Sequence, residues 1–395
     1  MFLYNISIKI YGLFLFIAAI FNSRAKQLIQ GRNRQIDSLE GKSIWIHCAS
    51  HGEFEQGIPL IKSLQEKYQE FNIVITFYSP SGYNYVVNNY NFSNVYYLPL
   101  DTKRNAIKLI KKFKPVSAFF IKYEIWPNIL HQLHKQKIPT YLISAHFRKE
   151  QVYFNYLKSF WADTFRCFTF IFTQLEQQKL LKKLKIKNNI TCGDTRYDRV
   201  LEISKNQKKI NKIIEFKKNT NLLVAGSTWE KDEILLKKLQ EDNCQLKLVI
   251  APHNVNSDNI YRIKSLFKNS CLYSEFKSNC NVLIIDKLGL LSYIYKYANI
   301  CYIGGGFNAG IHNCLEAAVY NKPIIFGPKY KNFNEASELI NLKLAISISN
   351  YNSLKNCLQT KSNNYKFAND FEITSKKYFK KKAGATNRIL NIIKI

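Results

Sequence analysis

The sequence predicts an α/β fold of two successive domains, each built on a parallel sheet, behind an apolar N-terminal helix. Short β-branched runs alternate with segments of helical periodicity, the alternation starts again in the second half, and residues 1–21 are nearly all apolar. Such alternation is typical of parallel strands covered by helices. With 395 residues and 46% hydrophobic content, the chain can fill two cores and is not a disordered protein.

The N-terminal apolar run is followed by positive charge at Arg24, Lys26 and Arg32. A cleaved signal peptide has its charge before the apolar run, so this order argues against one. Positive charge after the run would hold the following domain on the cytoplasmic side. The run is close to the roughly 20 residues that a spanning helix needs. It predicts an anchor that spans once or lies in the interface; a buried first helix is the alternative.

Strand signals follow in order along both halves. In the first half they cover residues 43–48, 72–77, 95–98, 116–121, 140–144, 168–172 and 189–192. In the second half they cover residues 221–225, 246–250, 282–285, 300–303 and 323–326. Runs that are apolar at every position are typical of strands with helices on both faces.

The predicted organisation has four parts. They are an anchor over residues 1–26, a Rossmann-like domain over residues 27–205, a second over residues 206–366 and a helical tail over residues 367–395. We expect the tail to pack back on the first domain. Ligands of open α/β sheets bind beyond the carboxyl ends of the strands, so the two sheets are expected to face one cleft.

The formal net charge is +30, from 58 Lys and Arg against 28 Asp and Glu. Such a surplus favours polyanionic partners, namely nucleic acid, anionic lipid or phosphorylated substrates. General enrichment in Lys, Asn and Ile accounts for part of it. The nine cysteines form no C-x-x-C pair and no metal spacing with His. We therefore expect a reducing compartment, no disulfide and no structural zinc.

The first candidate site is the turn after the first strand, residues 49–53 (ASHGE). Gly52 allows close backbone approach, and Glu53 can act as a general base towards a hydroxyl. Ser50 and Glu53 also fit an S-x-x-E capping box, in which Glu53 satisfies an N–H of the helix start. The local sequence alone favours the capping box.

The second candidate site is the glycine turn at residues 304–306, followed by His312, Asn313 and Glu316. A glycine-rich turn before a helix offers backbone N–H groups to an anion, and Glu316 is placed to accept hydrogen bonds from a ribose diol. The alternative is a tight turn with Asn313 as the helix N-cap.

Charged side chains near other strand ends are further candidates. Lys122 and Glu124 end an apolar strand and face either solvent or a site. Arg196 offers a fixed cation for phosphate, or a salt bridge to Asp194 or Asp198.

In the second half, Ser227 and Thr228 open a helix with an anion-ready turn. His253 follows a strand and is a candidate contact for phosphate or base, although a lone histidine is more often structural. The sequence has no P-loop, no Ser/His/Asp arrangement and no D-x-D motif for a divalent metal.

Together these segments resemble the 3-deoxy-D-manno-octulosonic acid (Kdo) transferases of lipopolysaccharide synthesis, over nearly the whole chain. The matching segments are residues 49–53 (ASHGE), 79–82 (SPSG), 124–128 (EIWPN), 226–230 (GSTWE), 312–316 (HNCLE) and 326–328 (FGP). The resemblance implies a GT-B fold, with two Rossmann-like domains whose parallel sheets face a central cleft. It also implies an inverting transfer from CMP-Kdo without metal or cofactor.

The resemblance further implies the partners and the location. The acceptor is a lipid A precursor (lipid IVA), and the enzyme sits on the inner membrane with its catalytic domains on the cytoplasmic side. The expected partners are therefore CMP-Kdo, the lipid acceptor and an anionic membrane surface, and not nucleic acid.

The family's site residues map onto this sequence. Glu53 becomes the proton acceptor, which reverses the local preference for a cap, and Arg196 matches a family lysine credited with stabilising the transition state. The implied CMP contacts are Pro252, His253, Leu288, Gly289, Leu290, Asn313, Cys314, Leu315 and Glu316. Ser227, Thr228 and His312 are additional candidates.

The chain departs from the family pattern at several positions. Lys122 stands where the family commonly has a carboxylate, so the charge is inverted there, whereas Glu124 matches the second acid of that motif. His253 replaces the usual Arg, Ile311 replaces a Gly, and His51 replaces a small apolar residue.

Three other interpretations stay open. One is a membrane-associated GT-B transferase with a UDP-sugar donor and another lipid acceptor, which competition by CMP or UDP would separate. The second is a basic nucleic-acid-binding protein, whose binding would fall steeply with salt. No RNA-recognition or helix-turn-helix signature supports it. The third is a non-catalytic membrane scaffold, against which the intact segments with Glu53 and residues 312–316 argue.

Overall fold

The computed structural model describes residues 1–33, 38–206, 208–276, 279–358 and 370–395. The chain divides into two compact units. Unit 1 comprises Met1–Arg199 and Lys382–Ile395, and unit 2 comprises Val200–Lys381. The predicted boundary between residues 366 and 367 lies outside the described residues.

Unit 1 contains a seven-stranded parallel sheet with the order β3-β2-β1-β4-β5-β6-β7. Its strands are β1 (Ser43–Cys48), β2 (Asn72–Phe77), β3 (Asn94–Tyr97), β4 (Pro115–Ile121), β5 (Thr140–Ala145), β6 (Phe170–Thr173) and β7 (Asn189–Thr191). All seven were predicted from their apolar runs.

Of the ten helices that the structure describes in this half of the chain, two precede the first strand, seven lie between strands, and the last runs from unit 1 into unit 2. They are α1 (Phe2–Phe21), α2 (Ser23–Asn33), α3 (His51–Lys67), α4 (Pro80–Asn89), α5 (Lys103–Phe113), α6 (Pro127–Lys135), α7 (Val152–Asn155), α8 (Lys158–Phe165), α9 (Gln178–Leu181) and α10 (Thr195–Lys205), with a 3₁₀ turn at Lys182–Leu184.

Both faces of this sheet are buried. Along β1, Trp45 packs into the apolar cluster on one face, whereas Ile44 and Ile46 pack into the cluster on the other. Phe120 and Phe119 of β4 divide in the same way. Side chains alternate between the two faces of a strand, so a strand with helices on both sides needs apolar residues at every position.

Unit 2 repeats this plan with the strand order β10-β11-β9-β8-β12-β13-β14, again all parallel. The strands are β8 (Leu222–Thr228), β9 (Lys247–Pro252), β10 (Ser270–Leu272), β11 (Val282–Ile284), β12 (Ile300–Ile303), β13 (Ile324–Phe326) and β14 (Ala345–Ser347). The two edge strands, β10 and β14, were not predicted. The predicted α/β class with two parallel sheets is confirmed.

The remaining helices cover this second sheet or follow it. They are α11 (Asn211–Lys217), α12 (Glu230–Asp242), α13 (Ser257–Leu266), α14 (Leu291–Ile294), α15 (Leu315–Ala318), α16 (Asn334–Asn341), α17 (Tyr351–Leu358) and α18 (Phe371–Lys382), with a 3₁₀ turn at Tyr295–Tyr297.

A disulfide joins Cys271 of β10 to Cys280, which lies just before β11, with 6.0 Å between the Cα atoms. The expectation that the chain has no disulfide is therefore wrong. The two thiols meet because β10 and β11 are neighbours in the sheet. Spacing in the sequence does not reveal such pairing, since β10 itself is too short to recognise.

The end of the chain, with α19 (Ala385–Leu390), belongs to unit 1. The Asp198 carboxylate accepts hydrogen bonds from the Gly384 N–H (2.5 Å), the Thr386 N–H (2.7 Å) and the Thr386 hydroxyl (2.8 Å). Ile389 is fully buried in the core of the unit. One carboxylate thus fixes the start of the last helix.

Helix α1 is long and apolar enough to cross a membrane, and no part of its apolar window is buried. It contacts the rest of unit 1 through polar side chains. The Tyr4 hydroxyl donates to Asp101 (2.7 Å), and the Asn128 side-chain amide donates to Asn5 (2.8 Å). Most of its apolar side chains, such as Phe14 and Phe21, are exposed.

Replacing Asp198 with Ala should destabilise unit 1, because three donors at the start of α19 lose their acceptor. We expect the free energy of unfolding to fall by about 2–3 kcal/mol, measured by urea denaturation. Asp163→Ala is the control, since it removes only an exposed pair with Arg166 and should cost under about 1 kcal/mol. Equal effects of the two changes would contradict the assigned role of Asp198.

Candidate active site

The sequence motifs lie at the switch point of each sheet. In unit 1, β1 and β4 are neighbours, but the chain continues from β1 to β2 on one side and from β4 to β5 on the other. The carboxyl ends of such a strand pair are left open, which is where α/β proteins bind ligands. Residues 49–53 follow β1, and residues 122–124 follow β4.

Glu53 lies in the first turn of α3, and its carboxylate accepts the Ala49 N–H at 2.5 Å. The Ser50 side chain makes no capping hydrogen bond, so the reciprocal capping box that the sequence allowed is not formed. Burial and, next, the negative charge of Glu124 raise the pKa of Glu53 to about 8. The backbone donors of Ala49 and Ser50 and the Lys122 ammonium act in the opposite direction.

Glu124 is held by two nitrogen donors on one oxygen. Its Oε2 lies 3.0 Å from His47 Nε2 and accepts the Trp126 indole N–H at 2.9 Å. His47 is fully buried in β1. These contacts fix the Glu124 carboxylate, whose negative charge is the second-largest cause of the raised Glu53 pKa.

Lys122 directly follows β4 and adopts a left-handed conformation with φ of 71°. Its N–H donates to the Ile143 carbonyl of β5 (2.8 Å), and its ammonium lies over the Tyr123 ring. The positive charge lowers the pKa of Glu53 against the larger effects of burial and Glu124. Glu53, Lys122 and Glu124 therefore form one charge cluster, called here the carboxylate cluster.

Arg196, in the first turn of α10, pairs with Asp194. Its Nε lies 2.8 Å and its Nη2 2.7 Å from Asp194 Oδ2. The salt bridge to Asp194 that the sequence allowed is thus formed, whereas Asp198 binds the start of α19. The charge of Arg196 also acts on Tyr123, next to the carboxylate cluster.

In unit 2, β8 and β12 form the switch point, and the glycine turn follows β12. Ser227, near the end of β8, has φ of 53°. A Cβ on Gly304 would lie 2.3 Å from the Ser227 carbonyl oxygen, and a Cβ on Gly306 would lie 2.6 Å from the Gly327 nitrogen. Glycine is required here because three backbone segments pass in direct contact.

Asp232 of α12 organises the same turn. Its carboxylate accepts the Gly305 N–H (2.8 Å), the Trp229 N–H (2.9 Å) and the Tyr302 hydroxyl (2.7 Å). The Gly304 N–H donates to the Gly226 carbonyl (2.9 Å). Two N–H groups of the glycine turn are therefore used inside the protein and are not offered to an anion.

Three aromatic rings stack beside this turn. The Trp229 and His253 ring centres are 4.7 Å apart, and those of His253 and His312 are 4.4 Å apart. The Trp229 indole N–H donates to His312 Nε2 (2.9 Å). Burial, and then His253, lower the pKa of His312 to about 4, so the ring is neutral and able to accept. Burial also lowers the pKa of His253.

The segment after the glycine turn leads into α15, a helix of four residues. Asn313 Oδ1 accepts the Leu315 N–H (3.1 Å), and its amide donates to Glu316 (3.0 Å). The side chains of Cys314 and Leu315 are fully buried. Only their backbone atoms can face a ligand.

The other predicted nucleotide contacts follow β9 and β11. Pro252 ends β9, and the His253 N–H donates to the Thr228 carbonyl (3.0 Å), which joins the ends of β8 and β9. The Thr228 hydroxyl donates to Glu233 (2.9 Å). Leu288 is exposed.

Gly289 and Leu290 line a cavity of about 290 Å³. Its other walls include Lys208, Lys209, Lys212, Tyr273 and Tyr293.

The structure thus joins Glu53, Lys122 and Glu124 in unit 1, and Ser227, Thr228, His253 and His312 around the turn of unit 2. Sequence reasoning missed His47, Trp126, Trp229 and Asp232. The signal for Asp232 was present, since an acid at the third position of a helix after a turn is typical of a capping box. Within the described residues, no group of three or more His, Cys, Asp or Glu is placed to hold a metal ion.

Comparison with known proteins tests the resemblance. Residues 21–199 match the family described as 3-deoxy-D-manno-octulosonic-acid transferase (kdotransferase). The Kdo transferase of Rickettsia bellii is 25% identical over 99% of this chain and 97% of its own length. The resemblance to the Kdo transferases is confirmed. The matched segment contains Glu53, Lys122, Glu124 and Arg196.

Other Kdo transferase relatives cover less of the chain. The Aquifex aeolicus enzyme is 27% identical over 75% of this chain and 79% of its own length. A bifunctional glycosyltransferase/methyltransferase of Fusobacterium nucleatum is 27% identical over 83% of this chain. This chain spans only 54% of that longer relative. The enzyme class that the relatives support is a glycosyltransferase.

Solved structures support the GT-B fold. UDP-GlcNAc 2-epimerase from Neisseria meningitidis superposes with a TM-score of 0.57 at 16% identity, covering 89% of this chain and 98% of that chain. MurG from Acinetobacter baumannii gives 0.52 at 12% identity, covering 90% and 99%. The predicted GT-B fold class is confirmed, and each of its two parallel sheets has seven strands.

The raised pKa of Glu53 predicts a pH-dependent effect on stability. Folded Glu53 holds its proton up to about pH 8, whereas in the unfolded chain it ionises near 4.5. Between these values the unfolded state binds fewer protons, so this group lowers stability as the pH rises. We expect the melting temperature of Glu53→Gln to exceed that of the wild type by a widening margin, a few degrees at pH 8.

Glu66→Gln makes the same change at an exposed position of α3 and is the control for this experiment. Its melting temperature should follow that of the wild type at every pH. A constant difference between Glu53→Gln and the wild type from pH 5 to 8 would refute the raised pKa.

Proposed function

We propose that this protein transfers Kdo from CMP-Kdo to a hydroxyl of a lipid A precursor, such as lipid IVA, with inversion and with Glu53 as general base. The main support is the Glu53 carboxylate itself. It lies at the switch point of unit 1, has a pKa of about 8, and belongs to the segment that matches the Kdo transferase family.

The proposed chemistry is a single displacement. Glu53 takes the proton from the acceptor hydroxyl, whose oxygen bonds to the anomeric carbon of Kdo as the bond to the CMP phosphate breaks. CMP leaves with the electron pair of that bond, and Glu53 later releases its proton to water. A base with a pKa near the working pH is well matched to this transfer.

Charge develops on the departing phosphate, and fixed donors and cations lower its energy. In this proposal Arg196 and Lys122 supply positive charge, and no metal takes part. Arg196 is oriented by Asp194, which limits the side-chain freedom lost when it binds an anion. Lys122 acts in addition on Glu53, favouring the ionised base.

The proposed CMP site lies in unit 2 and comprises residues 252–253, 288–290 and 313–316, with Ser227, Thr228 and His312 beside them. Its support is the stacked ring group of Trp229, His253 and His312 at the switch point of that sheet. Flat aromatic rings stack on any nucleobase, because every base has a π-face. His312 is neutral, so it adds no positive charge to the surface on which the base would stack.

We also propose that α1 anchors the protein to the cytoplasmic face of the inner membrane. Most of its apolar side chains are exposed, and a contiguous exposed apolar surface marks an interaction site. The net charge of +30 would add attraction to anionic headgroups.

Turnover tests the catalytic proposal. Glu53→Gln should lose at least 100-fold in the rate of Kdo transfer from CMP-Kdo, while Glu66→Gln retains the wild-type rate, measured by the mass of the lipid product. The wild-type kcat/KM should rise with pH and level off above about 8, since only ionised Glu53 accepts a proton. CMP should inhibit and UDP should not; the reverse preference would favour a UDP-sugar transferase.

Vesicle binding tests the anchor. Changing Phe14 and Phe16 of α1 to Asp together should reduce cosedimentation with anionic phospholipid vesicles at least tenfold, because charged side chains resist burial in the acyl region. Val87→Asp adds a charge at an exposed apolar position of α4 in the same unit and is the control. Undiminished binding of the α1 variant would remove α1 from the membrane contact.

A further inference from the structure

A series of hydrogen bonds between buried side chains of β1 and β2 leads to the carboxylate cluster. Trp45 and His47 of β1 and Thr76 of β2 are all fully buried. His47 and Thr76 stand opposite each other in the register of the two strands. The series ends at Glu124, which follows β4.

The direction of this series follows from its first member. An indole nitrogen only donates, so the Trp45 N–H donates to the Thr76 hydroxyl oxygen at 2.9 Å. The hydroxyl hydrogen of Thr76 then needs an acceptor. His47 Nδ1 lies 2.9 Å from that oxygen and 3.1 Å from the carbonyl oxygen of residue 76. We assign Nδ1 the acceptor role, because the hydroxyl hydrogen would otherwise have no acceptor. A buried hydroxyl hydrogen without an acceptor would cost stability.

A histidine that accepts at Nδ1 carries its proton on Nε2. His47 is then neutral and donates from Nε2 to the Glu124 carboxylate at 3.0 Å. The Trp126 indole N–H donates to the same oxygen. Glu124 is left as an acceptor only, with a full negative charge beside Glu53.

We propose that Trp45, Thr76 and His47 act as a positioning relay that keeps the His47–Glu124 pair at one net negative charge and thereby keeps Glu53 a strong base. The inference rests on the proposed function of Glu53. It extends that function to three buried residues that would act through Glu124 and not by contact with either substrate.

Among the ionisable groups near Glu53, Glu124 is the one that the relay contacts, so the relay acts on Glu53 through Glu124. Burial raises the pKa values of Cys48, Tyr123 and Tyr153, which also feel these carboxylates, so they stay uncharged at neutral pH. Lys122 supplies positive charge on Glu53, and Arg148 and Arg196 act on Tyr123.

Removing the Thr76 hydroxyl changes the charge of the pair. Without that donor, His47 Nδ1 takes a proton and donates it to the backbone carbonyl of residue 76, which lies 3.1 Å away. Two arrangements of the protons are then possible. If Nε2 keeps its proton, His47 is an imidazolium beside ionised Glu124, and the pair is neutral. If the Nε2 proton passes to Glu124, both residues are uncharged, and the pair is again neutral.

The experiment compares hydroxyl deletions in the full-length protein. Thr76→Val should move the acid limb of the kcat/KM pH profile down by about one pH unit, because Glu53 loses a neighbouring negative charge. Thr76→Ser keeps the hydroxyl and should keep the limb at its wild-type position. Thr140→Val removes a buried hydroxyl of β5 that bonds only to the Ile138 carbonyl, and should not move the limb.

A lower rate for Thr76→Val with the limb unmoved would reduce the hydroxyl to a packing role and overturn the relay. An equal shift in Thr140→Val would do the same. If the valine disturbs folding, Thr76→Ala deletes the hydroxyl with less bulk and is judged by the same limb.

A second measurement does not depend on turnover. In protein labelled with ¹⁵N at histidine, the signal of His47, assigned by its loss in His47→Gln, should show a protonated Nε2 and a bare Nδ1. In Thr76→Val, Nδ1 should gain a proton. A protonated Nδ1 in the wild type overturns the relay, whereas an active Glu53→Gln overturns the proposed base and leaves this measurement to decide the relay.

Discussion

The reversal of strand order at the centre of each sheet is the constraint on which the site depends. A parallel strand must be followed by a crossover, and at β1/β4 and β8/β12 the crossovers leave in opposite directions. The carboxyl ends of those strands are therefore free of covering chain. Unit 1 fills this position with two carboxylates and a lysine, and unit 2 fills it with glycines and rings.

Two carboxylates beside each other cannot share one environment without a cost, because each raises the proton affinity of the other. The structure separates them by their donors. Glu124 is bound by the ring nitrogen of His47 and the indole N–H of Trp126. Glu53 accepts hydrogen bonds from backbone N–H groups, but burial raises its pKa by more than these bonds lower it. Different surroundings thus give different roles to chemically identical groups.

Much of the fold could be predicted because a sheet that is covered by helices on both faces needs apolar residues at successive positions, so its strands are continuous apolar runs in the sequence. β2 (NIVITF) needs such residues on both faces. The edge strands β10 and β14 have three residues each, which is too short for a recognisable pattern. Because β10 was not predicted, the pairing of Cys271 with Cys280 was not predicted either. The short length of these strands, and not their composition, is the reason.

The candidate site was partly predictable for a similar reason. Glu53 and the glycine turn lie next to strand ends and can be found along the chain. The Trp45–Thr76–His47 chain cannot, because its members lie on two strands that only the register brings together. Trp45 and His47 have the alternation of ordinary inward-facing residues, and Thr76 sits within an apolar run.

The glycine turn shows how one sequence feature serves two physical needs that the sequence does not distinguish. Glycines before a helix indicate an anion cradle when their N–H groups are free. Here the Gly304 and Gly305 N–H groups bond to Gly226 and Asp232, and a Cβ on Gly304 would collide with the Ser227 carbonyl. Close packing therefore accounts for these glycines. Recognition of a ligand in unit 2 then falls to the stacked rings and to the segment after the turn, where Asn313 and Glu316 bond to each other.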